Sequence, residues 1–103
     1  MSKNIAMERA SYTAGADCTL RHAKATAASL VGLLGAGAGI EIDCAGVEQA
    51  DITFVQTIVS AQRSYAARGL PFALTGMTDS ARSAFLRAGV TPPGAVPSEL
   101  SGN

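Results

Sequence analysis

Apolar and polar positions recur along this chain with two different periods, and the switches between them lay out its elements. From His22 to Leu34 the residues Ala23, Ala27, Leu30, Val31 and Leu34 return at three- and four-residue spacing, while Lys24 and Ser29 fall off the stripe. That spacing predicts a helix with one buried face. The longest stretch of the same kind runs from Thr53 to Arg68. There Phe54, Ile58, Ala61 and Tyr65, joined by Val55 and Val59, make a broad apolar face, and Gln56, Gln62, Arg63 and Arg68 mark the polar sides. Gly69 is placed to cap it, with Leu70 as the hydrophobic companion of the turn. A third helix over Ala81–Ala88 carries Ala81, Ala84, Phe85 and Ala88 on its core side, begins after the capping cluster Thr78-Asp79-Ser80, and stops at Gly89.

Between these helices the pattern shortens. Ile40–Cys44 and Leu70–Thr75 read as strands, the second with Pro71 near its start, where a missing donor is tolerated. Cys18-Thr19-Leu20-Arg21 alternates polar with apolar after Gly15 and suits a short strand. Ile5–Tyr12 is weakly patterned and reads as an edge strand or a loose segment. Ala45–Ala50 reads as a crossing over the sheet end, and Thr91-Pro92-Pro93-Gly94 through Asn103 as a turn-rich tail. Strands alternating with helices of crossover length predict a single small α/β domain over residues 1–103, its core at about 18–90. The sheet is expected to be mixed but mostly parallel, with right-handed crossovers.

Composition narrows the function. One domain of 103 residues buries one core, and eight Lys and Arg balance eight Asp and Glu. Arg9, Arg21, Arg63, Arg68, Arg82 and Arg87 are scattered rather than clustered, which argues against nucleic acid and favours a small protein or small molecule as partner. No stretch approaches the ~20 apolar residues of a membrane span, and the first residues lack a signal-peptide run, so the expected location is the cytoplasm. Cys18 and Cys44 stand apart in apolar settings and read as buried free thiols.

Reactive groups are sparse. His22 is the only histidine and is expected at a helix start beside Arg21; a surface or capping role explains it. There is no nucleophile elbow, no metal-ligand spacing and no Walker motif. Gly35-Ala36-Gly37-Ala38-Gly39 resembles a phosphate loop in composition, but it follows a helix and precedes a strand, the reverse of the dinucleotide order. Asp43 and Asp51 flank one connection and would pair only if the loop closed; turn and cap roles account for both. The expectation is therefore a non-enzymatic chain with no cofactor and no metal.

Three segments then carry a family likeness: Ile40–Val47, the junction Ala50-Asp51-Ile52-Thr53 opening a helix, and Gly69–Leu74 followed by Thr78-Asp79-Ser80-Ala81-Arg82. In order and spacing the chain resembles a STAS domain, the α/β module of anti-sigma factor antagonists and related bacterial signalling and transport proteins. The resemblance covers roughly Cys18 to Val90. It implies a partner kinase that phosphorylates a Ser or Thr after the aspartate matched by Asp51. Here that position is Ile52, which has no hydroxyl; Thr53 follows as the possible phosphorylation site, and Phe54 replaces the usual glycine.

The junction through Gln56 also resembles stand-alone STAS proteins encoded with chemotaxis genes, which bind the chemotaxis histidine kinase. The partner surface implied is Asp51, Ile52, Thr53, Phe54 and Gln56, with Ile52 and Phe54 as apolar anchors, together with Asp79 and Arg82 on the last helix. A second implied role is a subunit of a lipid-transport ATPase complex, and a third reading is a small nucleotide-binding domain. Under none of these readings does the chain insert in a membrane.

Overall fold

Eight elements follow one another through residues 9–93, the part of the chain that the computed structural model describes. They are β1 (Arg9–Thr13), β2 (Asp17–Cys18), α1 (Leu20–Leu34), β3 (Gly39–Asp43), β4 (Gln49–Ala50), α2 (Ile52–Ala67), β5 (Phe72–Thr75) and α3 (Asp79–Ala88). The order of the main sheet is β1-β3-β5, with Tyr12 opposite Ile42 and Ile42 opposite Leu74; β2 and β4 form a separate two-stranded ladder. Every pairing among the described residues is parallel, which requires a long crossover between neighbours. The segments holding α1 and α2 supply it.

Burial along β3 fixes the layering. Ile40 and Ile42 are buried while Glu41 and Asp43, which alternate with them, are exposed, so one face of the strand is covered and the other is wet. The helices form the cover, with α2 in the middle and packed against both α1 and α3. Tyr65 of α2 ties the layers together. It is buried, its hydroxyl donates to the Leu30 carbonyl of α1 at 3.1 Å, and its ring meets Phe72 of β5 edge-on at 5.4 Å. Gly39 allows the close approach of β3 to the entry of β5, since a Cβ there would lie 2.4 Å from Cγ of Pro71.

The α/β class with a mostly parallel sheet agrees with the sequence pattern, as do the ends of α2 and α3. Gly69 and Gly89 take left-handed backbone at φ 69° and 71°, and Leu70 and Val90 donate back to Tyr65 and Phe85 at 2.9 and 3.1 Å. Several boundaries differ. The strand expected over Cys18–Arg21 is limited to Asp17–Cys18, because Leu20 already opens α1. Gln49–Ala50, expected as part of a crossing, pairs with β2. Val31, placed on the buried stripe of α1, is 61% exposed because Leu30 and Leu34 take the core line one residue away. Of the Ile5–Tyr12 segment, Arg9 to Tyr12 belong to β1, and residues 5–8 lie outside the described residues, as do residues 94–103 of the tail.

Candidate functional site

The start of α2 is built around one carboxylate. Asp51 sits in extended backbone before the helix, and its Oδ1 accepts from the backbone N–H of Thr53 at 3.0 Å, from that of Phe54 at 3.4 Å, and from the Thr53 hydroxyl. Its Oδ2 accepts from the backbone N–H of Leu20, first residue of α1, at 3.1 Å. One side chain thus satisfies unpaired donors at two helix starts, where both helix dipoles favour negative charge. The Thr53 hydroxyl above all holds the Asp51 carboxyl below its ordinary value; burial opposes it, and the N–H groups of Leu20, Phe54 and Thr53 add to the lowering.

Asp17 repeats the device beside it. It accepts from the Thr19 N–H at 3.0 Å and from the Thr19 hydroxyl, while its other oxygen lies 3.6 Å from Nε2 of His22. The Thr19 hydroxyl is the main cause of its lowered pKa. Asp43 accepts from the Ala45 N–H at 2.9 Å and shapes the turn after β3. Each aspartate therefore has a local structural task, and His22 lies within the first turn of α1 rather than in a reactive cluster. Among the described residues no group of three or more His, Cys, Asp and Glu side chains is arranged to hold a metal ion. Cys18 and Cys44 are buried and free; burial raises both thiols, that of Cys44 to about 12.

Ile52 is 52% exposed and Gln56, one turn later, is exposed as well. Phe54 is different. At 3% exposure it lies in the core, its ring edge-on to Phe85 of α3 at 5.9 Å, so it is not a surface anchor. The helical period that groups it with Ile58 and Tyr65 turns it inward. Asp79 and Arg82 pair with each other at 3.5 Å, and Arg82 also donates to the Met77 carbonyl at 3.3 Å. The cap of α3 is Thr78, which accepts from Ala81 N–H at 3.2 Å and donates to the Val47 carbonyl at 2.8 Å.

Two grooves flank the exposed ridge of α2. Toward α3, a groove of about 380 Å³ is lined by Ile52, Val55, Val59, Arg63, Ala88 and Val90 with Gln56 and Ser60 on its rim. Toward α1, one of about 270 Å³ is lined by Ala27, Val31, Thr53 and Ser64 among others, and again by Gln56 and Ser60. Asp79 lines a third depression with Thr19, Gln49 and Ala50, and Arg82 lines none of these three. The expected surface is thus divided: Ile52 and Gln56 share the α2 ridge, and Asp79 stands apart. Val31, Val59 and Arg63 are not among the site residues expected from sequence, although Ile52, Gln56, Val59 and Arg63 follow the four-, three-, four-residue spacing of one helix line.

Comparison with curated proteins and with solved structures returned no match. A family model described as "Mlab, STAS domain" matches residues 8–92, starting ten residues before the segment that carries the likeness in sequence and so taking in β1. The chain belongs to the STAS domain family.

Proposed function

We propose that this chain is a non-enzymatic docking module that binds a partner protein through the ridge of α2, with Ile52 as its apolar anchor. The partner class is a kinase or phosphorelay protein of a chemotaxis or anti-sigma pathway, and the setting is cytoplasmic. The observation that carries the reading is the half-exposed Ile52 at the head of a groove that continues through Val55, Val59 and Val90. A large aliphatic side chain held at a rigid helix start is suited to enter a partner's pocket, and the ridge between two grooves suits helix packing. Asp51 and Thr53 at the helix start, with Gln56 one turn on, complete the polar surroundings.

Ile52 also favours a second role, as a permanent subunit of a lipid-transport ATPase complex. A subunit that stays bound needs no switch hydroxyl, and the hydroxyl next to Ile52 in sequence, that of Thr53, is engaged by Asp51. A phosphate on Thr53 would place its charge against that carboxylate and break the cap. The two roles separate in vitro. The chain is mixed in turn with purified kinases, phosphorelay proteins and transport ATPases encoded near it, and complexes are followed by size-exclusion chromatography. A stable complex with a kinase or phosphorelay protein supports the first role and one with an ATPase the second. With no complex in any mixture, both are abandoned.

A further inference from the structure

The zero net charge of the chain hides a division between its layers. Helices α1 and α2 hold Arg21, Lys24 and Arg63 and no carboxylate; α3 holds Arg82 and Arg87 against Asp79, which is already paired with Arg82. The acids of the described residues stand elsewhere: Glu41 and Asp43 in β3, Glu48 before β4, and Asp17 and Asp51 engaged at the helix starts. Three of the four exposed large apolar side chains among the described residues, Leu20, Val31 and Ile52, belong to α1 and α2 as well. These two helices run side by side in one direction. Asp51 binds the Leu20 N–H where both begin, and the Tyr65 hydroxyl reaches the Leu30 carbonyl near the end of both.

The groove between them is therefore straight. From Thr53 to Ser64 it advances about 17 Å at ~1.5 Å per residue, the length of a three-turn helix. Ala27, Ala61, Thr57, Ser60 and Ser64 in its lining are small, which lets another helix come close. Lys24 precedes Val31 by two turns on α1, and Arg63 follows Gln56 by two turns on α2, so an exposed cation stands on each bank. Apolar residues flanked by cations, with no acid on either helix, select a helix of opposite charge. We propose that the α1–α2 groove receives an acidic amphipathic helix of a partner protein, its apolar line on Ala27 and Val31 and its carboxylates toward Lys24 and Arg63. This gives the chemistry of the partner and rests on the docking function proposed above, whose α2 ridge forms one bank of the groove.

The 15N-labelled full chain is titrated with two model peptides of ~15 residues, long enough to form helix. Both carry leucines at helical spacing; one has glutamate and the other lysine at the flanking positions. The glutamate peptide should shift the amides of Ala27, Val31, Thr57 and Ser64 and leave Ser11 in β1 unmoved. It should bind at least tenfold more tightly than the lysine peptide and be released at ~0.5 M NaCl. Lys24→Glu combined with Arg63→Glu, both exposed, should invert the preference. No shift at ~1 mM glutamate peptide, equal binding of the two peptides, or shifts confined to the α2–α3 groove overturn the proposal. So do the same shifts on concentrating the chain alone, since the occupant is then a second copy. Sedimentation with phosphatidylglycerol vesicles, while the glutamate peptide does not bind, also overturns it and assigns the face to a lipid surface. The docking function falls by a different result, the absence of any partner complex in the mixtures above.

Discussion

Replacing Asp51 with alanine removes one carboxylate and leaves four donors without it: the N–H groups of Thr53, Phe54 and Leu20 and the Thr53 hydroxyl. Loss of a helix-capping side chain costs about 1 kcal/mol. The bond from Leu20 N–H to a charged acceptor at the surface adds about 1 kcal/mol, below the buried range because water replaces it. The expected loss is therefore about 2 kcal/mol, or roughly 8–16 °C in Tm at the ~4–8 °C per kcal/mol of a domain this size. Asp51→Asn keeps one acceptor oxygen for the cap and should lose about half as much. Urea unfolding followed by circular dichroism measures both.

The pH dependence supplies the second half of this test. The folded Asp51 pKa lies below the ordinary 3.8, so its contribution is fully present above about pH 4 and is lost as the pH falls through the folded value. Asp51→Asn should flatten that part of the acid limb. A loss below about 0.5 kcal/mol for the alanine variant, the ordinary scatter of surface substitutions, or an unchanged acid limb in the asparagine variant, would refute the double-cap reasoning.

Phe54→Ala should cost ~3–5 kcal/mol as a core truncation, whereas Ile52→Ala two residues earlier should stay within ~0.5 kcal/mol; equal losses in urea unfolding would contradict the assignment of one to the core and the other to the surface. Gly39→Ala should destabilise by ~1–3 kcal/mol or more through overpacking, because its Cβ would fall 2.4 Å from Pro71 Cγ and 2.7 Å from the Pro71 carbonyl oxygen. Neutral thermal melts would show that β3 and β5 are not so close. With both thiols buried and that of Cys44 raised to about 12, the native chain should not react with a thiol reagent at pH 8 until denaturant is added. Rapid labelling of the native chain would contradict this.

What the sequence discloses about this fold follows from how local each cause is. The ends of α2 and α3 are set by Gly69, Gly89 and the Thr78 hydroxyl, all within a turn of the helix they bound. The start of α1 is set otherwise. Cys18–Arg21 fits either period, and part of what favours helix at Leu20 is the Asp51 carboxylate, 31 residues away. The pairing of Asp17–Cys18 with Gln49–Ala50 is equally remote, and two residues are too few for a periodic signal. At the site, Asp51 as a cap was legible, and so was Phe54 in the core, since its own apolar stripe argued against its use as an anchor. The α2–α3 groove depends on where α3 lies across α2, which periodicity along one helix does not encode.

Isothermal titration against whichever partner forms the complex tests the central claim most directly, with Ile52→Glu compared with Leu86→Glu. Leu86 is 78% exposed on α3 but lines none of the α2 grooves. The account predicts that Ile52→Glu weakens binding tenfold or more, equivalent to at least ~1.4 kcal/mol, while Leu86→Glu binds as the unaltered chain does. Unchanged affinity for Ile52→Glu would contradict it.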